Sequence, residues 1–395
     1  WKLPDSAKLG IFGEYYESEK GIPGITTFPS PNASQNSSRY FINATWSDEV
    51  ASLGKLDASF AWLRQSRKFS DPLGESTGVP LNTERTHTRW DAKIERTGLG
   101  FGDNDILGTG ANFAIEKLDA EEYCNPERTN IAAWVRDEFY LKNGAVIEGA
   151  LRWDSIDRDS VISPKIGCKY FLNDQWTVKS NFSLDFRAPG FDELYLNEGM
   201  VVGNIDLVPE RSLNFDIGLT HASKNLRIEC AYFNIQTKNL IDYLLISGFR
   251  WKPFNIGRTR STGVELSGDW IIDKHFELKG NFTRTHAIDT SGDPTRNGKE
   301  LVGQPSGEIF TELKWHEKPW ELNLNWEWQG RSPITPSGTR FVRSHDTTGV
   351  GIAYELGENH SLSFDIANIF NESFYDVRGF PLPGRSFGLT YFKEW

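Results

Sequence analysis

Between Trp320 and Trp328 the chain reads Trp320, Glu321, Leu322, Asn323, Leu324, Asn325, Trp326, Glu327, Trp328. Every even position is apolar, and every odd position is a carboxylate or an amide. Successive side chains of a strand point to opposite faces, so this period of two gives one wholly apolar face and one wholly polar face. A helix, turning roughly 100° per residue, would scatter the same residues around its axis. The polar face carries two full charges, and the apolar face starts and ends with an indole. A strand that shows one face to lipid and the other to a polar lumen, with aromatic rings at the two boundaries, has this pattern.

The alternation recurs along the chain. Trp176, Val178, Phe182, Leu184 and Phe186 oppose Thr177, Lys179, Asn181, Ser183, Asp185 and Arg187. Phe276, Leu278 and Phe282 oppose Glu277, Lys279, Asn281 and Thr283, while Leu362, Phe364 and Ile366 oppose Ser361, Ser363 and Asp365. A charge at the lipid midplane costs roughly 2 to 4 kcal/mol, which explains why the ionised residues keep to one parity. The same parity puts Cys168 and Cys230 on the apolar face as small hydrophobes.

Bulk properties agree. Hydrophobic residues make up only 38% of the 395 positions while aromatics reach 13%, with 14 Trp, so aromatic belts account for the composition better than a large soluble core does. No apolar run approaches the roughly 18 residues of a helical span, which leaves a closed barrel as the spanning option. The net charge of −11 offers no basic footprint, so nucleic-acid binding is not expected. Cys124, Cys168 and Cys230 have no metal-ligand spacing and cannot form a closed disulfide set. The chain opens on Trp1, without Met or a leader, so the expectation is that N-terminal content is missing.

Strands are expected to begin near residues 8, 37, 56, 84, 105, 129, 145, 162, 175, 210, 225, 256, 275, 305, 320, 343, 360 and 384, about 18 in all. Short connectors (Lys142 to Gly144, Leu172 to Gln175, Glu317 to Pro319) alternate with long ones (Gly21 to Asn36, Ala188 to Pro209, Ser247 to Phe254, Thr290 to Gln304). Outer-membrane barrels alternate short periplasmic turns with long extracellular loops in this way. The fold expected is all-β, a transmembrane antiparallel β-barrel occupying residues 1–395 as one domain. It is either an 18-strand passive diffusion porin or the later part of a 22-strand barrel whose first strands and lumen plug are absent.

Several segments resemble the barrel of TonB-dependent receptors, most strongly from Ser163 to the end, about three fifths of the chain. Ser163-Pro164-Lys165-Ile166-Gly167 is followed by Phe186-Arg187-Ala188-Pro189-Gly190-Phe191-Asp192-Glu193-Leu194-Tyr195, and then by Asn204-Ile205-Asp206-Leu207-Val208-Pro209-Glu210-Arg211-Ser212. Asn255-Ile256-Gly257-Arg258, Gly263-Val264-Glu265 and Ala367-Asn368-Ile369-Phe370-Asn371 follow in the family's order. Phe387, Leu389, Tyr391 and the terminal Trp395 look like the signal read by the outer-membrane assembly machinery, although Lys393 departs from it. The resemblance implies a monomeric receptor in the Gram-negative outer membrane, in contact with its lipid and lipopolysaccharide. It also implies import of a siderophore, cobalamin or similar small ligand, energised by the TonB complex of the inner membrane through the missing plug. A surface adhesin or autotransporter barrel would need a passenger domain and far fewer strands.

No catalytic constellation is apparent, so the chain is read as a non-enzyme without cofactor or metal. The glycines from Gly98 to Gly110 lack the residues of a phosphate loop and are read as a turn, and Asp103-Asn104-Asp105 lacks the distal Glu of a calcium loop. Asn-x-Ser/Thr triplets such as Asn181 and Asn281 lie inside strands and are read as chance. Candidate ligand contacts are Phe249, Arg250 and Trp251 with Lys252, in an outer loop, where rings and cations suit an anionic chelate or corrinoid face. Their competing reading is an interfacial aromatic belt. Arg187 and Tyr195 near the mouth complete the set.

Overall fold

The computed structural model describes residues 7–394 apart from 51–52, 76–77, 101, 103, 199–200, 248–249 and 377–378. Among the described residues are eighteen strands of eight residues or more. They are β1 (Lys8–Gly21), β2 (Ser34–Val50), β3 (Gly54–Asp71), β4 (Leu81–Leu99), β5 (Asp105–Asp119), β6 (Glu127–Tyr140), β7 (Ala145–Ile156), β8 (Asp159–Phe171) and β9 (Trp176–Arg187). There follow β10 (Glu210–Ala222), β11 (Leu226–Ile246), β12 (Arg250–Ile271), β13 (Phe276–Asp289), β14 (Gly307–Glu317), β15 (Trp320–Gln329), β16 (His345–Gly357), β17 (His360–Ala367) and β18 (Ser386–Lys393). One short helix, α1 (Phe191–Tyr195), and a 3-10 turn, Glu121–Tyr123, lie in connectors. Each strand begins within three residues of its expected start except β12, which begins six residues early.

The chain divides into two compact units, Trp1–Cys168 with Asn181–Leu213 and Thr237–Arg258, and Lys169–Ser180 with Asn214–Gln236 and Thr259–Trp395. In the first, β1 to β7 form a continuous antiparallel ladder. One cross-strand row reads Trp46, Ala58, Ile94, Ala111, Ala133, Trp153. The next row reads Asp57, Glu95, Gly110, Trp134, Arg152. One residue along the strand thus switches the row from apolar to ionised, as a two-faced sheet requires.

The second unit repeats the design. Trp270, Leu278, Leu313, Leu324, Val350, Ile366 and Phe387 form one row. Asp269, Lys279, Glu312, Asn325 and Gly349 form the row beside it. The apolar rows are not buried by protein: Leu266 is 45% exposed, Leu324 46% and Phe364 40%. Contiguous apolar surface of this extent is unfavourable in water and favourable in lipid. Cys168 and Cys230 on this parity are exposed as well. The large fully buried side chains Tyr123 and Leu207 sit in connectors, not between strands.

Eight steps from Trp320 to Trp328 at about 3.3 Å, inclined by about 40°, rise about 20 Å, close to the thickness of an outer-membrane apolar band. Trp320, Tyr354 and Tyr391 lie at one limit, on rows that meet at Leu362. Trp326 and Trp328 lie at the other.

Every second connector is short: 51–53, 100–104, 141–144, 172–175, 223–225, 272–275, 318–319 and 358–359. Asn173 and Asp273 build two of these turns, each accepting two backbone N–H groups, Asp273 from His275 at 2.7 Å and Phe276 at 2.9 Å. The glycine-rich stretch is another, with the Asp105 carboxylate accepting from Gly102 N at 2.8 Å; Asp103 lies outside the described residues. The intervening connectors include 188–209, 290–306, 330–344 and 368–385.

One expected long loop is corrected. β11 and β12 run for 21 and 22 residues and leave only 247–249 between them, so Arg250, Trp251 and Lys252 are strand residues. Trp251, Phe254 and Ile256 are β-formers, and the ladder continues wherever a neighbour can take its hydrogen bonds. Another outer connector, 157–158, is also a tight turn, with Asp157 at φ 51.

Candidate functional site

Connector 188–209 organises one end of the first unit. Pro189 removes a backbone donor and ends β9, Gly190 precedes the helix, and the Glu193 carboxylate accepts from Gly190 N at 2.7 Å to start α1. From the neighbouring connector, the turn Glu121–Tyr123 packs against this helix. Cys124 and Asn125 close that turn at φ 58 and 50, and Asn125 Oδ1 accepts from Ala120 N at 2.8 Å.

Tyr123 is the anchor. It is 1% exposed, clustered with Leu118 and Ala120 against Phe191, Tyr195 and Leu196. Its hydroxyl donates to Asp192 Oδ1 at 2.6 Å. Burial and that carboxylate raise the Tyr123 pKa well above the ordinary tyrosine range. Arg85 lies 5.1 Å from the centre of its ring and pairs with Glu122 and Glu198. Arg128 lies 4.8 Å over the Phe191 ring, donates to Pro189 O at 2.8 Å and binds Glu116 at 2.6 Å.

Arg187 is clamped between two carboxylates. It donates to both oxygens of Glu193 at 2.9 Å, and to Glu210 through Nε at 3.0 Å and Nη2 at 2.5 Å. Four of its five N–H groups are used in this way. Glu210 is 8% exposed and also accepts from Ile241 N at 2.8 Å, which ties the connector to β11.

The connector is pinned to β12 as well. Val201 bridges Trp251, Asn204 Nδ2 donates to Pro253 O at 2.9 Å, and Asn255 exchanges two hydrogen bonds of 2.8 Å with Val208. Arg250 donates to Asn197 Oδ1 at 2.6 Å, two residues beyond Tyr195. Its Nε is buried and without a hydrogen-bond partner among the described residues. Trp251 beside it is 43% exposed. Tyr195 therefore lies in the connector, Arg187 at the end of β9 that leads into it, and Arg250 and Trp251 on the strand it is pinned to, whereas Phe249 falls outside the described residues. A cleft of about 330 Å³ opens at Tyr195, lined also by Glu127, Arg128, Asp157, Arg158 and Asp159. Three carboxylates and two arginines line it, with Arg128 bound to Glu116 and Arg158 to Ile205 O, so it presents hydrogen-bonding groups of both signs to a polar ligand. Sequence reasoning missed Tyr123, Arg85, Arg128 and Glu210 as parts of the site. Glu210 carried a signal, since it follows Pro209 in a recognisable element.

In the second unit, connector 368–385 lies over the polar faces of β14 to β16. Asn368, at φ 50, shapes its start by accepting from Glu372 N at 2.9 Å. Phe374 stacks on His345 at 4.2 Å, Asp376 lies 3.4 Å from His345 Nε2, and a cavity of about 390 Å³ remains against Glu308, Phe310 and Glu327. Phe387, Leu389 and Tyr391 lie on one face of β18, at 66%, 72% and 57% exposure. Trp395 is outside the described residues.

The family described as TonB dependent receptor-like, beta-barrel, matches residues 4–369. Over 398 aligned residues, 98% of this chain, it is 22% identical to the vitamin B12 transporter BtuB of Photobacterium profundum and covers 62% of that protein. It is 26% identical over 293 residues to an iron-regulated outer membrane virulence protein of Vibrio cholerae, with 66% of this chain and 44% of the relative aligned. A mutant of the ferric enterobactin receptor PfeA of Pseudomonas aeruginosa superposes with a TM-score of 0.81 at 18% identity, over 99% of this chain and 67% of that one. The FrpB iron transporter of Neisseria meningitidis gives 0.81 at 14% identity, over 98% and 70%. At such identities the structural likeness speaks for the fold. The chain spans 62% and 44% of the lengths of the two sequence relatives.

Proposed function

Since the chain belongs to the TonB-dependent receptor β-barrel family, we propose that it forms the wall and outer connectors of an importer for a scarce metal chelate or corrinoid, a ferric siderophore or cobalamin. It is a β-barrel of the Gram-negative outer membrane, with its exposed apolar rows against lipid. The observation that carries the import reading is the connector 188–209, held by Arg187, Tyr123 and Asn255 and joined to β12 at Arg250 and Trp251. A rigid rim lowers the ordering cost of binding, and a guanidinium and an exposed indole carried on it suit the polar edge and flat face of a chelate.

In the full receptor the barrel has 22 strands around a plug, and the inner-membrane TonB complex supplies the work by pulling on that plug. The protein acts as a monomer and without catalysis. Phe387, Leu389, Tyr391 and Trp395 are read by the outer-membrane assembly machinery. The passive porin is disfavoured, because the family match and the superposed structures are receptors and transporters.

Equilibrium binding to detergent-purified protein, with cyanocobalamin and ferric enterobactin as probes, tests the reading. Submicromolar binding of one probe, weakened about tenfold or more by Arg250→Ala combined with Trp251→Ala, is expected. A stable trimer that binds neither probe and conducts ions constitutively in planar bilayers would replace the importer with a pore.

A further inference from the structure

Around connector 188–209 the carboxylates exceed the cations that serve them. Arg187 is shared by Glu193 and Glu210, and Arg85 by Glu122 and Glu198, so each guanidinium leaves one carboxylate charge uncancelled. Asp192 adds another, since its partner is the neutral Tyr123 hydroxyl. In the cleft, Glu127 is balanced by Lys117 and Arg128 by Glu116, each pair at 2.6 Å. Arg158 stands against two carboxylates. That of Asp157 accepts the Thr129 N–H at 3.1 Å, and that of Asp159 has no partner among the described residues. Two rim cations hold no carboxylate among the described residues: Arg250 donates to Asn197, and Lys252 lies 5.7 Å from the centre of the Phe254 ring.

The second unit, taken by itself, has the same sign. The cavity under connector 368–385 is lined by Glu308, Glu327 and Asp376, with His345 its one basic group among the described residues. Glu308 pairs with Gln329 and Glu327 with Phe310 across β14 and β15, so the two carboxylates are diagonal neighbours on one face. Neither has a cationic partner among the described residues. Clefts lined by one sign of charge focus their field and change the local concentration of a charged ligand. Screening over about 8 Å at physiological ionic strength weakens that field at exposed groups without reversing it. A multiply charged anion meets the surplus once for each of its charges, and a neutral ligand does not meet it at all.

We infer that the ligand taken up through this rim carries no net negative charge and is held by neutral edges of the amide or hydroxamate kind. The inference rests on the import reading and narrows it by charge. Carbonyl oxygens of such a ligand suit the Arg250 guanidinium, and its N–H groups suit the carboxylate of Asp159. A trianionic tris-catecholate chelate presents acceptor oxygens, which turn its own charge toward Asp157 and Asp159 with no hydrogen to share. Like charges set against each other in this way reject a ligand that the shape of a cleft would admit.

The test is equilibrium binding to detergent-purified protein, at low and at physiological ionic strength, of electroneutral cyanocobalamin, cationic ferrioxamine B and trianionic ferric enterobactin. At low ionic strength one of the first two should bind about tenfold or more tighter than ferric enterobactin. Residual ferric enterobactin binding should strengthen as salt is raised, which is the sign of a screened repulsion. Asp157→Asn combined with Asp159→Asn should narrow the gap about threefold or more, with heat-modifiable gel migration identical to wild type verifying that the variant barrel is folded. Ferric enterobactin bound as tightly as the other two, or bound less tightly as salt is raised, would overturn the charge class and leave the import reading standing. Binding of none of the three would remove the import reading and this inference with it.

Discussion

Replacing Arg187 with Ala leaves the carboxylates of Glu193 and Glu210, 15% and 10% exposed, facing each other without their shared cation. Breaking a buried charge pair costs about 3 to 5 kcal/mol, and the guanidinium here is 48% exposed, so the lower figure applies after solvent screening. About 3 kcal/mol amounts to roughly a hundredfold in an opening equilibrium. The loss should be local, because the strand ladders do not depend on this pair. Hydrogen exchange reads it at the Leu194 amide, which donates to Gly190 O at 3.0 Å. The expected result is about hundredfold faster exchange in connector 188–209 with heat-modifiable migration unchanged. Arg187→Lys should fall between, since one ammonium cannot serve both carboxylates with a fork. Unchanged protection in Arg187→Ala would show that the clamp does not hold the connector, and loss of the folded barrel would show that the pair holds far more than the connector.

Leu324→Arg puts a charge in the middle of the apolar band and should cost about 2 to 4 kcal/mol in denaturant unfolding from bilayers, whereas Asn325→Arg, one residue along on the polar face, should cost well under 1. Trp134 lies between Lys93 and Arg152, each 5.2 Å from its ring, over Gly110, where a Cβ would come within 2.2 Å of the ring. Gly110→Val should therefore displace the indole and cost about 1 to 3 kcal/mol, seen as a lowered melting temperature with altered tryptophan fluorescence. Tyr123 has a raised pKa in the folded protein, so the stability it contributes is complete below the ordinary tyrosine range and is lost as pH climbs through the folded value. The wild-type minus Tyr123→Phe difference in tyrosinate absorbance should titrate well above that range, and a difference titrating at the ordinary value would remove Asp192 as its partner.

The fold was largely legible because the rule that generates it is local. Trp320 to Trp328 shows the two-faced pattern without any neighbour, and the same parity located seventeen of the strand starts to within three residues. Nothing comparable describes the connectors. Tyr123 meets Asp192 across 69 residues and Arg85 meets Glu198 across 113, contacts that no periodicity encodes. Ser247 to Phe254 looked like a loop because Gly248, Pro253 and the charges interrupt the alternation. The long β11 and β12 leave the apolar band there, and beyond it the demand that sorted the parity no longer applies. Arg187 was singled out by its place near the mouth. Its role as a clamp depends on Glu193 and Glu210, whose convergence requires the folded connector.

The central claim is that this barrel wall serves energised import of a chelate or corrinoid. It is tested most directly by uptake of radiolabelled cobalamin and ferric enterobactin into cells expressing the full-length gene, with and without a functional TonB. The account predicts accumulation of one of them that stops when TonB is removed and falls about tenfold with Arg250→Ala and Trp251→Ala together. Uptake that continues without TonB, and extends to small sugars, would contradict it and leave a passive pore.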